Sequence, residues 1–307
     1  MSRRGRTGPS RIVLLDKPEG PTSFDLVRTI RTSSGYRKVG HGGTLDPFAS
    51  GLLVLGLGPA TRLMRYLSEG EKSYTGSIRF GSSTDTDDKS GKILQTGIPS
   101  FSASQLESAL REFQGTIEQL PPMVSALKVA GKRAYALYRD AGTIPDLKPR
   151  KVVIHEINLL DFSEEYARVR VRCGGGTYIR ALARDLGQRL SCPAHLHSLR
   201  REKVGTLDLT RAVAPELLAS GFVDDEEHGV FPPLLAVEDW PRLTLDGEQL
   251  RQVRSGRQPI LQWWQGSAKE GRWALLNLEG ELVALAEIHE ETPRLLMVLP
   301  EDSSEDL

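Results

Sequence analysis

The chain of 307 residues is 39% hydrophobic and 26% charged, and its 40 Lys and Arg residues balance its 40 Asp and Glu residues. This composition is typical of a soluble globular protein with a large core and more than one domain. It argues against a helical membrane protein, because no apolar stretch approaches the roughly 20 residues that a span needs. The basic N-terminus lacks the apolar segment of a secretory signal, so we expect a cytoplasmic protein.

Charge is distributed unevenly along the chain. Residues 1–80 contain 13 Lys and Arg against 6 Asp and Glu, whereas residues 240–307 contain 7 against 12. The basic N-terminal part favours a polyanionic partner, although a run of charges is also typical of an ordinary solvated surface. The cysteines, Cys173 and Cys192, lack metal-type spacing and are expected to be buried thiols.

The first eighty residues predict short strands that alternate with helices. A basic arm over residues 1–10 is interpreted as disordered. Apolar runs predict strands, and capping residues or Pro59 predict helix starts. The predicted strands lie at 12–15, 52–57 and 72–80, and the predicted helices run from Thr22 or Ser23 to about Ser33 and from Pro59 to Gly70.

The most informative stretch is GHGGTLDPFASGLL, residues 40–53. Glycines at 42 and 43 allow close backbone approach. Pro47, which directly follows the single acid Asp46, restricts the backbone at that point. This predicts a carboxylate held on a shaped turn and available for chemistry. Asp-Pro beside glycines is also typical of an ordinary surface turn, so the loop alone indicates only a candidate site.

The middle of the chain predicts both loops and helices. Residues 81–92 contain no apolar residue and predict an exposed loop, and Ser104 with Glu107 predicts a capping box for a helix that ends near Gly115. A second short helix is predicted over 134–141. The basic loop at 121–135 could lie on a phosphate backbone or serve only as a connector.

Two paired strands are predicted at 152–162 and 166–173, the second with Arg168, Arg170 and Arg172 on one face. They lead into GGGTYIRALARDLG, residues 174–187, where glycines break the strand and a helix begins. This turn partly matches a phosphate-binding loop but has neither GxxxxGK[ST] nor GxGxxG. A further basic strand is predicted at 195–209.

Composition changes near Trp240, where short apolar runs and regular glycines predict a small, barrel-like β domain. We therefore predict a catalytic domain at 11–235, an RNA-binding domain at 236–300 and an acidic tail at 301–307.

Familiar hydrolase signatures are absent from the sequence. There is no GxSxG, no HExxH, and no clustered set of metal-ligand residues, so we predict no metal. Carboxylate chemistry remains, because an Asp can act as a nucleophile or base when a nearby cation keeps it ionised.

Four motifs carry a resemblance to a known family. KPEGPTS (17–23), KVGHGGTLDPFASGLL (38–53), EKSYTG (71–76) and GGGTYIRALARDLG (174–187) resemble, in this order, the signature motifs of TruB-type pseudouridine synthases. These bacterial enzymes convert uridine 55 of tRNA to pseudouridine. The resemblance spans roughly residues 11–210, and the C-terminal region resembles, more weakly, that family's PUA domain.

The resemblance implies an α+β fold whose long mixed, mainly antiparallel central sheet is flanked by helices, with a small C-terminal β-barrel. It also implies the catalytic residues. Asp46 would be the catalytic aspartate, Tyr74 would stack on the flipped base, and Arg180 would pair with Asp46. The reaction is an isomerisation, so no cofactor is expected.

The resemblance and the charge pattern further imply contacts with tRNA, the expected partner of a monomeric enzyme. Tyr178 would contact the base or sugar, Leu199 would close the apolar side of the pocket, and His41 would stack in the opened tRNA loop. Lys17 and Pro18 would support the site. Residues that could neutralise phosphates are Arg37, Lys38, Arg62, Arg65, Lys128, Lys132, Arg150, Lys151, Arg200 and Arg201.

One position departs from the family pattern, because Gly42 stands where a hydroxyl residue is common. Two other functions stay open: the catalytic subunit of a guide-RNA-dependent H/ACA particle, and a non-catalytic RNA-binding protein or tRNA-folding chaperone with the same fold. The short N-terminus and the acidic C-terminal region argue against the first. The co-occurrence of Asp46, Tyr74 and Arg180 argues against the second.

Overall fold

A computed structural model describes residues 8–124 and 147–301, together with the backbone of two short strands at 128–129 and 132–133. The predicted helix at 134–141 lies outside these residues. Within them, no helix is both long and apolar enough to cross a membrane. The α-helices are α1 (Ser23–Ser34), α2 (Met64–Glu69), α3 (Ala103–Glu112), α4 (Ile179–Arg189), α5 (Pro215–Ser220) and α6 (Gly247–Arg254).

The strands of the described residues fall into one large sheet, one smaller C-terminal sheet and two hairpins. They are β1 (Arg11–Lys17), β2 (Val39–His41), β3 (Ser50–Leu57), β4 (Lys72–Phe80), β5 (Ser82–Thr84), β6 (Ile93–Thr96), β7 (Gly115–Gln119), β8 (Lys128–Val129), β9 (Lys132–Arg133), β10 (Arg150–Phe162), β11 (Tyr166–Cys173), β12 (Ala194–Val204), β13 (Leu207–Asp208), β14 (Val230–Phe231), β15 (Arg242–Thr244), β16 (Gly271–Leu276), β17 (Leu282–His289) and β18 (Thr292–Val298).

The large sheet has ten strands in the order β14-β1-β3-β12-β4-β11-β10-β7, with β2 and β13 paired beside β3 and β12. Every pairing is antiparallel except that of β3 with β12, where Arg200 and Arg201 lie opposite Ser50 and Gly51. The predicted mixed, mainly antiparallel sheet with flanking helices is confirmed. The parallel pairing brings β12 between β3 and β4, although these strands are far apart in sequence.

Burial along each strand follows its sequence pattern. Strand β4 alternates buried and half-buried residues, so Tyr74 and Ile78 face the core. Strand β3 is apolar along almost its whole length and is buried on both faces. Helix α4 packs Leu182, Ala183 and Leu186 against the same core that holds Tyr74. Helix α4 therefore covers part of the sheet face on which Tyr74 lies.

One predicted helix start agrees with the structure, and two other helix predictions need correction. Thr22 caps α1 in a capping box with Asp25, as the sequence predicts for this helix start. The cap of α3 is Ser102, paired with Gln105, rather than Ser104 with Glu107. The stretch from Pro59 splits into a 3-10 helix, Gly58–Leu63, followed by α2.

The C-terminal region forms an open sheet rather than the predicted closed barrel. Among the described residues its strands follow the order β15-β16-β17-β18, so β15 and β18 remain edges. Spacing of apolar runs predicts the number of strands but not closure, which depends on strand tilt and register. The sheet packs on the catalytic region through a shared apolar cluster that includes Leu52, Leu67 and Leu276. Trp240 also meets Tyr66 edge to face.

Residues 81–92 are not the exposed loop that their polarity predicts. Ser82, Thr84 and Asp88 are buried, and β5 of this segment pairs with β6, which directly follows the segment. The buried groups find polar partners: the Thr84 hydroxyl donates to the Asp88 carbonyl at 2.7 Å, and the amide of Lys89 donates to the carbonyl of Leu196 at 3.0 Å. A polar segment is buried here because its hydrogen bonds are satisfied inside the protein.

Gly51 is a position where a side chain is not tolerated, and replacing it by alanine tests the β3–β12 contact. Its φ is +101°, and a Cβ there would lie 2.3 Å from the carbonyl oxygen of Arg201. We expect Gly51→Ala to destabilise the protein by about 3 kcal/mol or more, the sum of backbone strain and overpacking. Urea unfolding measures the change.

Gly20→Ala is the matched control for that experiment. Gly20 has a similar φ of +110° but no atom within 4 Å of a Cβ. It isolates the strain component, for which we expect about 1–2 kcal/mol. Equal losses for the two variants would show that backbone conformation, rather than the close approach of β12, makes glycine necessary at position 51.

Candidate active site

A cavity of about 240 Å³ lies where the loop after β2 meets β4, β12 and the start of α4. It combines carboxylate, basic, aromatic and apolar groups from three of the four motif regions and from β12. Its lining residues are Gly43, Thr44, Leu45, Asp46, Ser68, Lys72, Tyr74, Gly174, Gly176, Thr177, Tyr178, Ile179, Arg180, Leu199 and Arg201. The structure thus brings Asp46, Tyr74, Arg180, Tyr178 and Leu199 together, as predicted.

Asp46 and Arg180 form an ion pair at the wall of the cavity. Nε of Arg180 lies 2.9 Å from Oδ2 of Asp46, close in distance but poorly aligned for a linear hydrogen bond. The Arg180 side chain is 5% exposed, whereas that of Asp46 is 36% exposed, towards the cavity. The arginine is therefore fixed in the protein, and the carboxylate has an open side.

Arg180 is held by three further acceptors from segments far away in the chain. Its Nη1 donates to the carbonyl of Thr86 at 2.8 Å and lies 3.4 Å from Oδ2 of Asp88. Its Nη2 donates to the carbonyl of Val124 at 2.9 Å. These contacts fix the guanidinium plane, so Arg180 presents Nε to Asp46 in one orientation.

Asp88 is a site residue that the sequence analysis missed. It is buried, accepts hydrogen bonds from the hydroxyl of Thr86 at 2.8 Å and the backbone of Ser90 at 2.9 Å, and shares Arg180 with Asp46. The polar composition of residues 81–92 concealed it. The available signal was three aspartates within four positions, 85–88, close after a predicted buried strand, which left some of them in need of partners.

The environment of Asp46 opposes its ionisation overall. Burial raises the pKa of Asp46 above its ordinary value, Arg180 lowers it, and the Asp88 carboxylate raises it again. A raised carboxyl pKa means that the ionised form is less stable in the folded protein than in water. Arg180 is then the main group that keeps Asp46 charged.

Lys17 fastens the turn that carries Asp46. Its buried ammonium donates to three carbonyls, those of Pro18 at 2.9 Å, Pro47 at 3.3 Å and Ala49 at 2.6 Å. Burial lowers the pKa of Lys17 to about 8, while Asp46 and Glu19 oppose that shift. The supporting position predicted for Lys17 agrees with this geometry, and Pro18 lies exposed beside it.

The loop is also fastened to α1. The hydroxyl of Ser23 donates to the carbonyl of Leu45 at 2.9 Å and accepts from the Leu45 amide at 2.9 Å. The first turn of α1 therefore fixes the residue next to Asp46.

Tyr74 and Leu199 come from adjacent strands and form one wall. Both are buried, and Leu199 lies opposite Gly76 in the β4–β12 register. Burial raises the pKa of the Tyr74 hydroxyl, and the positive charge of nearby Arg201 partly offsets the effect. Tyr74 is accordingly a neutral phenol at physiological pH.

Tyr178 stands at the N-terminus of α4 and is positioned by Gln119. Its backbone N–H donates to Oε1 of Gln119 at 2.8 Å, and Nε2 of Gln119 donates back to its carbonyl at 3.1 Å. Gly175 in the preceding turn serves close packing, because a Cβ there would lie 2.7 Å from the carbonyl oxygens of Ser68 and Glu69. The turn therefore packs on the end of α2, which explains this glycine without a bound nucleotide.

Two basic residues of the cavity differ from expectation. Lys72, to which no role was assigned, is buried and donates to the carbonyls of Ser68 and, at 2.7 Å, Gly70. Burial lowers its pKa to about 8. Arg201 was interpreted as a phosphate ligand, and that interpretation is wrong, because its side chain is fully buried on backbone carbonyls of the loop. Alternation along β12 is the sequence signal for its inward direction.

His41 and Gly42 lie at the start of the loop. Nδ1 of half-buried His41 accepts from the amide of Gly43 at 3.3 Å. Gly42 is buried, and a Cβ there would lie 3.1 Å from Cβ of Leu67 in α2. The glycine therefore suits this chain, because α2 occupies the space that a larger residue would need.

The remaining basic residues occupy several environments. Arg37 and Lys38 are exposed beside β2, and Arg150 and Lys151 are exposed on β10. Arg200 is half exposed and pairs with Asp16 at 2.7 Å. Arg62 donates to the Val298 carbonyl at 2.9 Å, Arg65 lies over the Tyr66 ring, and the side chains of Lys128 and Lys132 lie outside the described residues. Their contacts with RNA remain predictions. The described residues contain no His, Cys, Asp and Glu grouping suited to a metal ion.

Comparisons with known proteins agree with the motifs. Residues 31–179 match the TruB family pseudouridylate synthase N-terminal domain. The chain is 42% identical over 302 residues to tRNA pseudouridine synthase B of Leifsonia xyli subsp. xyli, covering 95% of this chain and 97% of that protein. It is 41% identical to the protein of the same name from Thermobifida fusca, covering 90% and 94%.

Solved structures show the same fold. A Cbf5-Nop10-Gar1 complex contains a chain that is 26% identical, with a TM-score of 0.73 and coverage of 94% of this chain and 84% of that one. A second match, at 24% identity, comes from an H/ACA RNP bound to a substrate RNA, with a TM-score of 0.72 and coverage of 96% and 86%. Since the similarity to curated relatives extends over almost the full length, the chain belongs to the TruB family of pseudouridine synthases.

Proposed function

We propose that this protein converts uridine to pseudouridine at position 55 in the T-loop of tRNA. One observation carries the proposal: Asp46, paired with buried Arg180 at 2.9 Å, opens into a cavity that also presents Tyr74 and Leu199. The cavity offers a carboxylate for the reacting nucleoside and an aromatic ring and an aliphatic side chain for its base. The relatives named tRNA pseudouridine synthase B support tRNA as the substrate.

The reaction breaks the bond between C1′ of the ribose and N1 of uracil, rotates the base and forms a bond from C1′ to C5. C5 loses its proton and N1 gains one, so atoms and electrons balance without a cofactor. A uridine inside a folded loop must first be extruded, at a cost of a few kcal/mol that pocket contacts offset. Stacking on Tyr74 and contact with Leu199 supply part of this energy, and Asp46 is the group available to react with the nucleoside.

The RNA approaches the side of the molecule where the motifs meet. Tyr178 lines the cavity, and His41 accepts from the amide of Gly43, which also lines it, so both rings can stack with bases of the opened loop. Arg37 and Lys38 are exposed beside β2. Arg200 and Lys128 complete the proposed phosphate contacts. Their positive charges act on any RNA sequence, whereas the cavity selects the reacting base.

We infer that the protein acts in the cytoplasm as a single chain that needs no guide RNA. Its sequence is much closer to relatives named as tRNA enzymes, at 41–42% identity, than to the guide-particle proteins, at 24–26%. The ion pair between Asp46 and Arg180, beside the cavity, favours an enzyme over a non-catalytic chaperone.

The test is tritium release from a tRNA T-stem-loop transcript that carries [5-³H]uridine, incubated with the purified protein alone. Stoichiometric release is expected at the position equivalent to 55, and a transcript with cytidine at that position is the control. Absence of release with a folded protein, or release only after guide RNA is added, would contradict the proposal.

The pH dependence of single-turnover rates should reflect Asp46. Its pKa is raised above the ordinary carboxyl value, so the rate falls as pH decreases through that raised pKa and Asp46 becomes protonated. Because the Asp88 carboxylate contributes to the raised pKa, Asp88→Asn should move this acid limb to lower pH, besides reducing the maximal rate.

Asp85→Asn serves as the control for the pH profile. Asp85 lies in the same loop, accepts from the Lys92 backbone at 2.8 Å and is not among the groups that shift the pKa of Asp46. Its acid limb should coincide with that of the wild type. An Asp88→Asn limb that stays in place or moves to higher pH would show that Asp88 does not act on Asp46 as described.

A further inference from the structure

Arg201 occupies the junction between the two halves of the cavity. In the large sheet it lies opposite Gly51 of β3 on one side and opposite Tyr74 of β4 on the other. The first neighbour belongs to the strand that follows the Asp46 loop, and the second is the aromatic wall. Arg201 is therefore the residue through which β12 joins the two elements.

The guanidinium of Arg201 binds the first element directly and lies beside the second. Its Nε donates to the carbonyl of Leu52 at 2.8 Å, and its Nη2 and Nη1 donate to the carbonyls of Gly43 at 3.1 Å and Thr44 at 3.4 Å. On the other side Arg201 lies opposite Tyr74 in the β4–β12 register, and its positive charge acts to lower the pKa of the Tyr74 hydroxyl. One rigid planar group thus lies between the loop that carries Asp46 and the ring that faces the base.

The charge of Arg201 is costly for the fold, which suggests that its role is not simply stability. The residue is 2% exposed, and within the described ranges it forms no ion pair with a carboxylate. A buried charge without a counter-ion is unfavourable even when carbonyls solvate it. Arg201 also adds to the lowering of the pKa of Lys17 and Lys72, the two other buried cations beside it.

We propose that Arg201 is a positioning residue that sets the placement of Asp46 relative to Tyr74. This inference rests on the proposed function, since it concerns the geometry of that reaction. Arg201 holds the loop by its carbonyls and lies opposite Tyr74 in the neighbouring strand, so the carboxylate and the ring approach the same nucleoside in fixed register. In this proposal the Arg201 side chain does not contact the RNA.

The experiment compares Arg201→Lys and Arg201→Met with the wild type in single-turnover rate and in Kd for the T-stem-loop. We expect the rate to fall about 10-fold for Lys and about 100-fold or more for Met, the scale of a misplacement near 1 Å, with Kd changing less than about threefold. Lys retains the charge and part of the carbonyl contacts, so it should partly rescue the rate. Lys203→Met, at an exposed position of the same strand, is the control.

Two measurements separate positioning from a merely structural role. In a double-mutant cycle with Tyr74→Phe, the rate loss due to Arg201→Met should be smaller than in the wild-type background, because the hydroxyl on which the Arg201 charge acts is already absent. Hydrogen exchange should accelerate at the amide of Leu45, which donates to Oγ of Ser23, and at that of Ala49, which donates to the Asp46 carbonyl, in both Arg201 variants but not in Lys203→Met.

Each outcome decides a part of the inference. A loss of RNA affinity without a loss of rate would make Arg201 an RNA contact and overturn it. Unchanged exchange at Leu45 and Ala49 would show that Arg201 does not position the loop. Fully multiplicative rate losses for Arg201→Met and Tyr74→Phe would show that Arg201 does not act on the phenol. The exchange measurement needs no activity, so failure of the proposed function in the wild type is distinguishable from failure of this inference.

Discussion

Replacing Asp46 with asparagine is expected to abolish tritium release while RNA binding persists. Asparagine has nearly the same shape but cannot act as a nucleophile or base, so we expect the single-turnover rate to fall by roughly 10⁴-fold or more, the scale for loss of a central catalytic group. The phosphate contacts and Tyr74 remain, and Kd for the T-stem-loop should stay within about threefold. Rapid-quench assays and filter binding measure the two quantities.

The same substitution should leave the protein at least as stable as the wild type. Because burial raises the pKa of Asp46, its ionised form costs free energy in the folded state at neutral pH, and a neutral amide removes that cost. Arg180 keeps Asp88 as a partner. Thermal unfolding at pH 7 and pH 5 should show the gain of Asp46→Asn over the wild type shrinking as Asp46 becomes protonated.

Asp225→Asn is the control for Asp46→Asn. Asp225 is half exposed, lies outside the cavity and contacts His228, so its replacement should alter neither the rate nor binding. Undiminished release by Asp46→Asn would remove Asp46 from the chemistry. A strong loss of RNA affinity or stability would show that Asp46 acts mainly in binding or folding.

Replacing Arg180 with methionine is expected to impair both activity and stability. Arg180 stands between the carboxylates of Asp46 and Asp88, and its removal leaves two acids without their shared cation. Breaking a buried ion pair by removing one partner typically costs about 3–5 kcal/mol. The rate should fall by at least about 100-fold, because Asp46 would be both misplaced and more readily protonated.

Adding Asp88→Asn to Arg180→Met should recover part of the stability but not the rate. The double variant removes one of the two opposed carboxylates, which relieves the repulsion without restoring the partner of Asp46. Urea unfolding and single-turnover assays of the two single variants and the double variant measure this coupling. Purely additive stability losses would contradict a shared role for Arg180.

Arg184→Met is the matched control, because Arg184 lies one helical turn further along α4. It pairs with Asp87 at 2.9 Å and Asp185 at 2.8 Å and is more exposed than Arg180. We expect a smaller loss of stability, about 1–2 kcal/mol, and a rate near that of the wild type.

The predictable parts of the fold are those in which neighbouring residues carry the information. The alternation in β4 places Tyr74 on the core face, and the apolar run in β3 identifies a strand buried on both sides. Thr22 identifies the start of α1 through a local hydrogen bond. These features depend on residues one to four positions apart, so the local pattern is sufficient.

The less predictable parts depend on contacts between segments far apart in sequence. A polar segment at 81–92 is typical of an exposed loop, yet Asp88 is buried because Arg180, some ninety residues later, supplies its counter-charge. The C-terminal strands were identified by spacing, but the open sheet follows from its register and from packing on the catalytic region. Spacing alone contains no information about either contact.

The candidate site divides in the same way. The motifs sufficed to select Asp46, Tyr74 and Arg180, because residue type, glycine-rich turns and order along the chain are all properties of the sequence. The different environments of neighbouring basic residues could be seen only in the tertiary structure. Arg200 and Arg201 are adjacent and chemically identical, but the pleat of β12 turns the first towards solvent and the second into the cavity. The parallel pairing with β3 brings backbone carbonyls within reach of Arg201. Arg201 therefore donates to these carbonyls instead of contacting phosphate.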